Sequence, residues 1–186
     1  MPTAACALCG TVVPLINSHF LPAALYQEMN EPTGAIQNMI VVRRDASFQS
    51  GDQFVMPLLC QACEILFQQG GEDWVLGMRY RSDGSFPLRD LLASATAVNS
   101  NAESSVYDVS TVVGMDVGKI CYFAASLFWR AGIANWSTQF ANAPQISIKT
   151  DLMVAFRDYL RGERQRARIR AGKPFCVSGN PKVAEA

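Results

Sequence analysis

Histidine is nearly absent from this 186-residue chain: His19 is the only one. Chemistry that needs an imidazole near neutral pH therefore falls on that one side chain. Long apolar runs are missing as well. No stretch reaches the roughly 18 residues that a spanning helix needs, and the most apolar segment, residues 120–128, is bracketed by Lys119 and Arg130. A membrane partner is accordingly not expected. Net charge is absent, 16 Lys and Arg balancing 16 Asp and Glu. Charged residues make up 17% of the chain and hydrophobic ones 49%, which excludes a disordered polyampholyte and predicts a globular protein with a sizeable core. No secretory leader is evident, so the thiols are expected to be reduced and the location cytoplasmic. No repeat stands out beyond one doubled motif, and the interleaved basic and aromatic residues of single-strand binding platforms are missing.

The doubled motif is Cys-x-x-Cys, at Cys6-Ala-Leu-Cys9-Gly10 and again at Cys60-Gln-Ala-Cys63-Glu64. Each pair brings two thiolates onto one tight turn, so together they supply the four soft ligands of a tetrahedral structural zinc. Four buried or redox-active cysteines are the competing reading, and disulfides fit less well. The second pair follows an apolar run, residues 54–59, and precedes helical spacing at Ala62, Ile65, Leu66 and Gln69. That order places one knuckle on a hairpin and the other at a helix start, the arrangement of a treble clef. The fold class expected is α+β: a zinc-binding region over residues 1–81, and a mostly helical elaboration with a basic tail over 82–186, the two forming one compact domain.

Along the chain, a hairpin is expected before Pro22, with Pro14 between its strands and His19 near a strand end. Residues 23–29 should be helical, with Pro22 opening the helix. Residues 38–44 and 48–56 suggest a second hairpin. The helix from Gln61 should stop at Gly70-Gly71, with a further short helix over 72–78. Residues 87–92 look helical, 94–105 look like a loop or a weak helix extension, and 106–113 look extended. A strong helix is expected over 116–131, with Val117, Ile120, Cys121, Ala124, Leu127 and Phe128 as one buried face. Cys121 then reads as a core residue rather than a fifth ligand. Trp136 and Phe140 should anchor the irregular stretch that follows. A last helix starts near Thr150 and turns Leu152, Ala155, Phe156, Tyr159 and Leu160 inward. Charge is uneven: residues 1–156 hold 8 Lys and Arg against 13 Asp and Glu, while residues 157–186 hold 8 against 3. Such asymmetry points to a polyanionic partner.

Cys-x-x-Cys, then Ser18-His19-Phe20-Leu21-Pro22, then Leu58-Leu59-Cys60-Gln61-Ala62-Cys63-Glu64 form a series that resembles HNH-type endonucleases, in particular small bacterial and phage HNH-like proteins. The phrase Ser126-Leu127-Phe128-Trp129-Arg130 is similar to the helical portion of that branch. The resemblance covers residues 6–70. It implies a ββα-metal core, hydrolysis of a nucleic-acid phosphodiester, DNA more than RNA, and His19 as the general base. A divalent ion such as Mg²⁺ would polarise the phosphate, while Zn²⁺ would be architectural. Two positions depart from the family pattern. Ser18 stands where an acidic residue or histidine is usual, and Glu64 where a histidine often follows the second pair. Glu64 suits Mg²⁺, but it equally suits a helix N-terminus or a salt bridge to an arginine. His19 could instead be a hydrogen-bonded structural histidine or a substitute zinc ligand. Glu72 and Asp73 are reserve carboxylates.

Arg164, Arg166, Arg168 and Arg170 could contact phosphates, with Arg43 and Arg44 beside the clef as a second group, or could be solvated charges. A non-catalytic zinc-stabilised module that binds nucleic acid or protein is the rival class. A toxin or defence component that needs a partner chain is the third. The apolar second half offers either a core or an oligomer interface.

Overall fold

The computed structural model describes residues 1–30, 39–42, 47–50, 53–81, 83–136 and 147–163. Arg43, Arg44, Arg164, Arg166, Arg168, Arg170 and Phe140 lie outside these residues. The described chain is mixed α+β, with small antiparallel sheets. Strand β1 (Thr3–Ala5) pairs with β2 (Val12–His19), and the first cysteine pair forms the turn between them. Pro14 does not separate two strands as expected. It sits inside β2 opposite Thr3, and Leu15 next to it donates its N–H to the Pro2 carbonyl at 2.9 Å. Helix α1 (Ala23–Asn30) begins one residue after Pro22.

Strands β3 (Met39–Val42) and β4 (Ser47–Ser50) form their own hairpin. The stretch expected to run on from residue 48 instead divides, and its second part, β5 (Val55–Cys60), pairs antiparallel with β2, giving the order β1-β2-β5. The register places His19 opposite Val55 and Leu15 opposite Cys60. Two distant segments thus meet, with the histidine at one end of the ladder and the second cysteine pair at the other.

Helix α2 (Gln61–Phe67) follows β5 without a loop. Gly70-Gly71 does not break it. The backbone widens into a π-turn over Gln68–Glu72 and continues as α3 (Asp73–Gly77). The physical reason is the crossing of α5 (Val117–Ile133) directly over the two glycines. A Cβ on Gly71 would lie 2.5 Å from the Lys119 carbonyl oxygen and 2.8 Å from the Phe123 nitrogen, and one on Gly70 would collide with the Tyr122 ring. Lys119 Nζ donates to the Gln69 carbonyl across the same crossing. Here glycine acts by its lack of bulk rather than as a helix breaker.

Helix α4 (Pro87–Ala93) forms as expected, but residues 94–105 are not simply a loop. Strands β6 (Ala97–Ser100) and β7 (Ser105–Tyr107) make a hairpin whose turn is closed by Asn101 Oδ1, which accepts from Glu103 N and Ser104 N. Asp116 caps α5 by accepting from the Lys119 N–H at 3.0 Å. Helix α6 (Thr150–Leu160) packs on α5.

The inward faces differ from the expected ones. On α5 the buried residues are Ala125, Ser126, Trp129, Arg130 and Ala131, whereas Cys121 is exposed and Phe128 is 57% exposed. Apolar spacing alone favoured the wider stripe. The helix is rotated so that Trp129 reaches Phe67 and the polar groups of Ser126 and Arg130 find partners inside. On α2, Cys63 and Phe67 are buried while Ile65 and Leu66 face outward. On α6, Leu152 is exposed and Met153 packs instead. The core runs from Cys6 through Leu59 and Phe67 to Trp129, Trp136 and Leu160. Phe67 holds its centre, edge-on to both Trp129 (5.8 Å, 89°) and Tyr122 (6.2 Å, 81°). Such pairs contribute about 0.5–1.5 kcal/mol each beyond burial.

Candidate metal centre and adjoining acidic cavity

Two turns of the backbone bring the cysteines together. Gly10, with φ +79°, closes the first knuckle, and its N–H donates to the Cys6 carbonyl at 2.8 Å. Cys60 is the last residue of β5 and precedes the first turn of α2, which carries Cys63. The four sulfurs all lie within 4.8 Å of one another, and the Cys9 and Cys60 sulfurs are 3.9 Å apart. A tetrahedron with Zn–S of about 2.3 Å has S···S edges of about 3.8 Å. The set therefore could hold a metal such as zinc. Cys121, the other described cysteine, stands outside the cluster.

Three of the four thiols are shifted from their ordinary range. Hydrogen bonding to Thr11, by its side chain and then its backbone, brings the Cys9 thiol down to about 6. Burial pushes Cys60 and Cys63 up, Cys63 far up with the neighbouring sulfurs adding to the effect. Buried thiols that resist ionising on their own become ligands when a cation compensates their charge. Cys60 N–H also donates to Cys6 Sγ at 3.4 Å.

At the far end of the β2–β5 ladder an open cavity of about 290 Å³ is lined by His19, Glu64, Gln68, Glu72, Asp73 and Arg130, with the start of α1 as its rim. Strand β2 contributes the imidazole, while α2, the π-turn and α3 contribute the carboxylates. His19 Nε2 lies 2.9 Å from Gln53 Oε1. An amide oxygen only accepts, so this contact suits the tautomer that carries its proton on Nε2. The Tyr26 ring sits 6.2 Å from the imidazole, and its hydroxyl accepts the Phe54 N–H at 3.4 Å, fixing this end of the ladder.

Ser18 faces the other way. It is fully buried and its Oγ accepts the Leu59 N–H at 3.2 Å, where the β2–β5 register shifts after Ile16. It therefore serves the sheet, and the position before the histidine supplies no group to the cavity.

Glu64 forms the salt bridge to an arginine that its position allowed. Arg130 NH2 meets Glu64 Oε2 at 3.4 Å, and Arg130 NH1 meets Glu72 Oε1 at 2.6 Å. The guanidinium carbon also lies 4.7 Å over the Phe67 ring. Glu64 Oε1 and Arg130 Nε are buried without partners among the described residues. Arg130, Gln53 and Gln68 had not stood out in the sequence as site residues. The available signal for Arg130 was a guanidinium directly after a tryptophan inside an apolar helix, on the stripe that also carries Ser126.

No described helix is long and apolar enough to cross a membrane. Compared with protein-family models, with curated proteins and with solved structures, the chain finds no match.

Proposed function

We propose that this chain is an HNH-like, metal-dependent nuclease built on a zinc treble clef, with DNA as the expected substrate. The observation that carries the reading is the convergence of the one histidine with Glu64, Glu72 and Asp73 on a single open cavity, beside a four-cysteine cluster. The order of antiparallel strands β2 and β5 followed at once by α2 is that of a ββα unit, with a cysteine pair before the first strand and another at the strand-to-helix junction.

In this reading Gln53 holds the proton on His19 Nε2, so that Nδ1 takes a proton from the attacking water. Glu64, and Glu72 or Asp73 beside it, would hold a divalent cation, which supplies charge stabilisation at the phosphate and at the leaving oxygen. The zinc carries no chemistry; it fixes the hairpin against the helix. The Arg164 to Arg170 run would add salt-dependent, sequence-independent affinity for the polyanion.

His19→Ala tests the assignment on supercoiled plasmid with Mg²⁺ or Mn²⁺. Nicking should fall by about 10²–10⁴-fold, the usual worth of a positioned general base, with zinc content and circular dichroism unchanged. Nicking at the wild-type rate rejects the role. A second reading, a zinc-stabilised module that binds nucleic acid without cleaving it, is favoured by the engagement of Glu64 and Glu72 with Arg130. It requires retained DNA binding and no cleavage with any divalent ion.

A further inference from the structure

Arg130 is the most deeply buried charge among the described residues, its side chain only 2% exposed, and it reaches the acidic cavity from behind. Three carboxylates line that cavity, and one guanidinium sits against two of them. The contact is uneven. The Glu72 bond is short, at 2.6 Å, while Glu64 is held at 3.4 Å through Oε2, and its buried Oε1 has no hydrogen-bond partner among the described residues. Bidentate engagement of one carboxylate would have used up the fork of the arginine; here the fork is divided between two.

The arginine is itself held in place. Its side chain lies over Phe67 at the core, and its carbonyl oxygen accepts the Trp136 indole N–H at 2.8 Å. Trp136 packs on Phe20, 5.5 Å between ring centroids, immediately after His19 in the chain. One residue of α5 is thus tied to the carboxylate wall through its guanidinium and to the histidine wall through its backbone.

We propose that Arg130 is a positioning residue for divalent-cation binding in this cavity: it splits its guanidinium between Glu64 and Glu72, spaces the two carboxylates, and leaves Glu64 with a free coordinating oxygen. This rests on the nuclease reading for its chemistry but not for its test. With three carboxylates and one guanidinium, the charged side chains lining the cavity sum to two negative charges, which matches a divalent cation. Lysine keeps the positive charge of arginine but offers a single point rather than a planar fork, so it cannot hold both carboxylates at their spacing.

The probe is Mn²⁺ itself, titrated calorimetrically into the zinc-loaded full chain, with nicking measured separately. Arg130→Lys should keep the fold and zinc content and weaken Mn²⁺ binding by about 10–100-fold, the range for a residue that orients a metal ligand. Arg130→Met leaves two carboxylates without their cation and is read only if it folds. Mn²⁺ binding by Arg130→Lys equal to wild type overturns the proposal while leaving the nuclease reading intact. Mn²⁺ binding that depends on Arg130 in a protein that never nicks DNA supports it while the nuclease reading fails. A wild-type chain that binds no Mn²⁺ overturns it outright.

Discussion

Ser18 shows how much one side chain can decide. The β2–β5 ladder slips by one residue after Ile16, beside the buried Leu59; the Leu59 N–H points at the neighbouring strand there. The Ser18 hydroxyl accepts it. Ser18→Ala should therefore cost about 1–3 kcal/mol, the penalty for a buried donor left unpaired, measured by urea denaturation of the zinc-loaded protein. A loss below a few tenths would mean that water or a backbone shift takes over the bond. Divalent-ion binding should not change, because Ser18 supplies nothing to the cavity. The residue preceding the histidine was legible as a departure from the nuclease pattern. Its structural task was not, because the N–H that its hydroxyl accepts lies on a strand about forty residues further along the chain.

Among elements, the crossing of α5 over the π-turn joins α5 to the segment that follows the second cysteine pair. It depends on glycine at two positions for space alone. Gly71→Ala sets a methyl against the Lys119 carbonyl and the Phe123 nitrogen, backbone atoms that cannot rotate away. Overpacking of this kind costs about 1–3 kcal/mol, and the displacement of α5 would carry Arg130 away from Glu72. Gly77→Ala is the control, since a Cβ there meets nothing within 4 Å, and replacing glycine near a helix end should be neutral or stabilising by up to about 1 kcal/mol. Thermal unfolding of the two variants should move in opposite directions or leave Gly77→Ala unmoved. If both fall equally, the crossing is looser than its geometry indicates. Gly-Gly reads in a sequence as a helix stop because the local rule prices glycine by its freedom. The partner helix that makes small size valuable lies some fifty residues away.

For the whole molecule, the cysteine cluster ties β1, β2, β5 and α2 into one unit, and the core is continuous from Cys6 to Leu160. A metal held by the cluster would therefore stabilise the helical part as well as the knuckles. Chelation with excess EDTA or a stronger zinc chelator is expected to lower the unfolding temperature markedly in a single transition, with zinc restoring it. Two separate transitions, or an unchanged one, would show that the cluster is not a folding element. Zinc affinity should fall with acidification, because binding displaces protons from the Cys60 and Cys63 thiols, whose ionisation burial opposes. Below about 6 the Cys9 thiol must lose its proton too. Competition with a chromogenic chelator at several pH values checks the direction.

The sequence by itself determined the four paired cysteines as a candidate metal set, the one imidazole, the helical start after the second cysteine pair and the approximate extent of α5. Each of these follows from chemistry or spacing within a few residues. Only the tertiary structure decided which carboxylates share a cavity with His19, that Arg130 stands between two of them, and that two glycines join helices instead of ending one. Those outcomes depend on the rotation of α5 about its own axis. That rotation is set by how Trp129, Phe67 and the guanidinium pack together, a balance among distant side chains that no local period records.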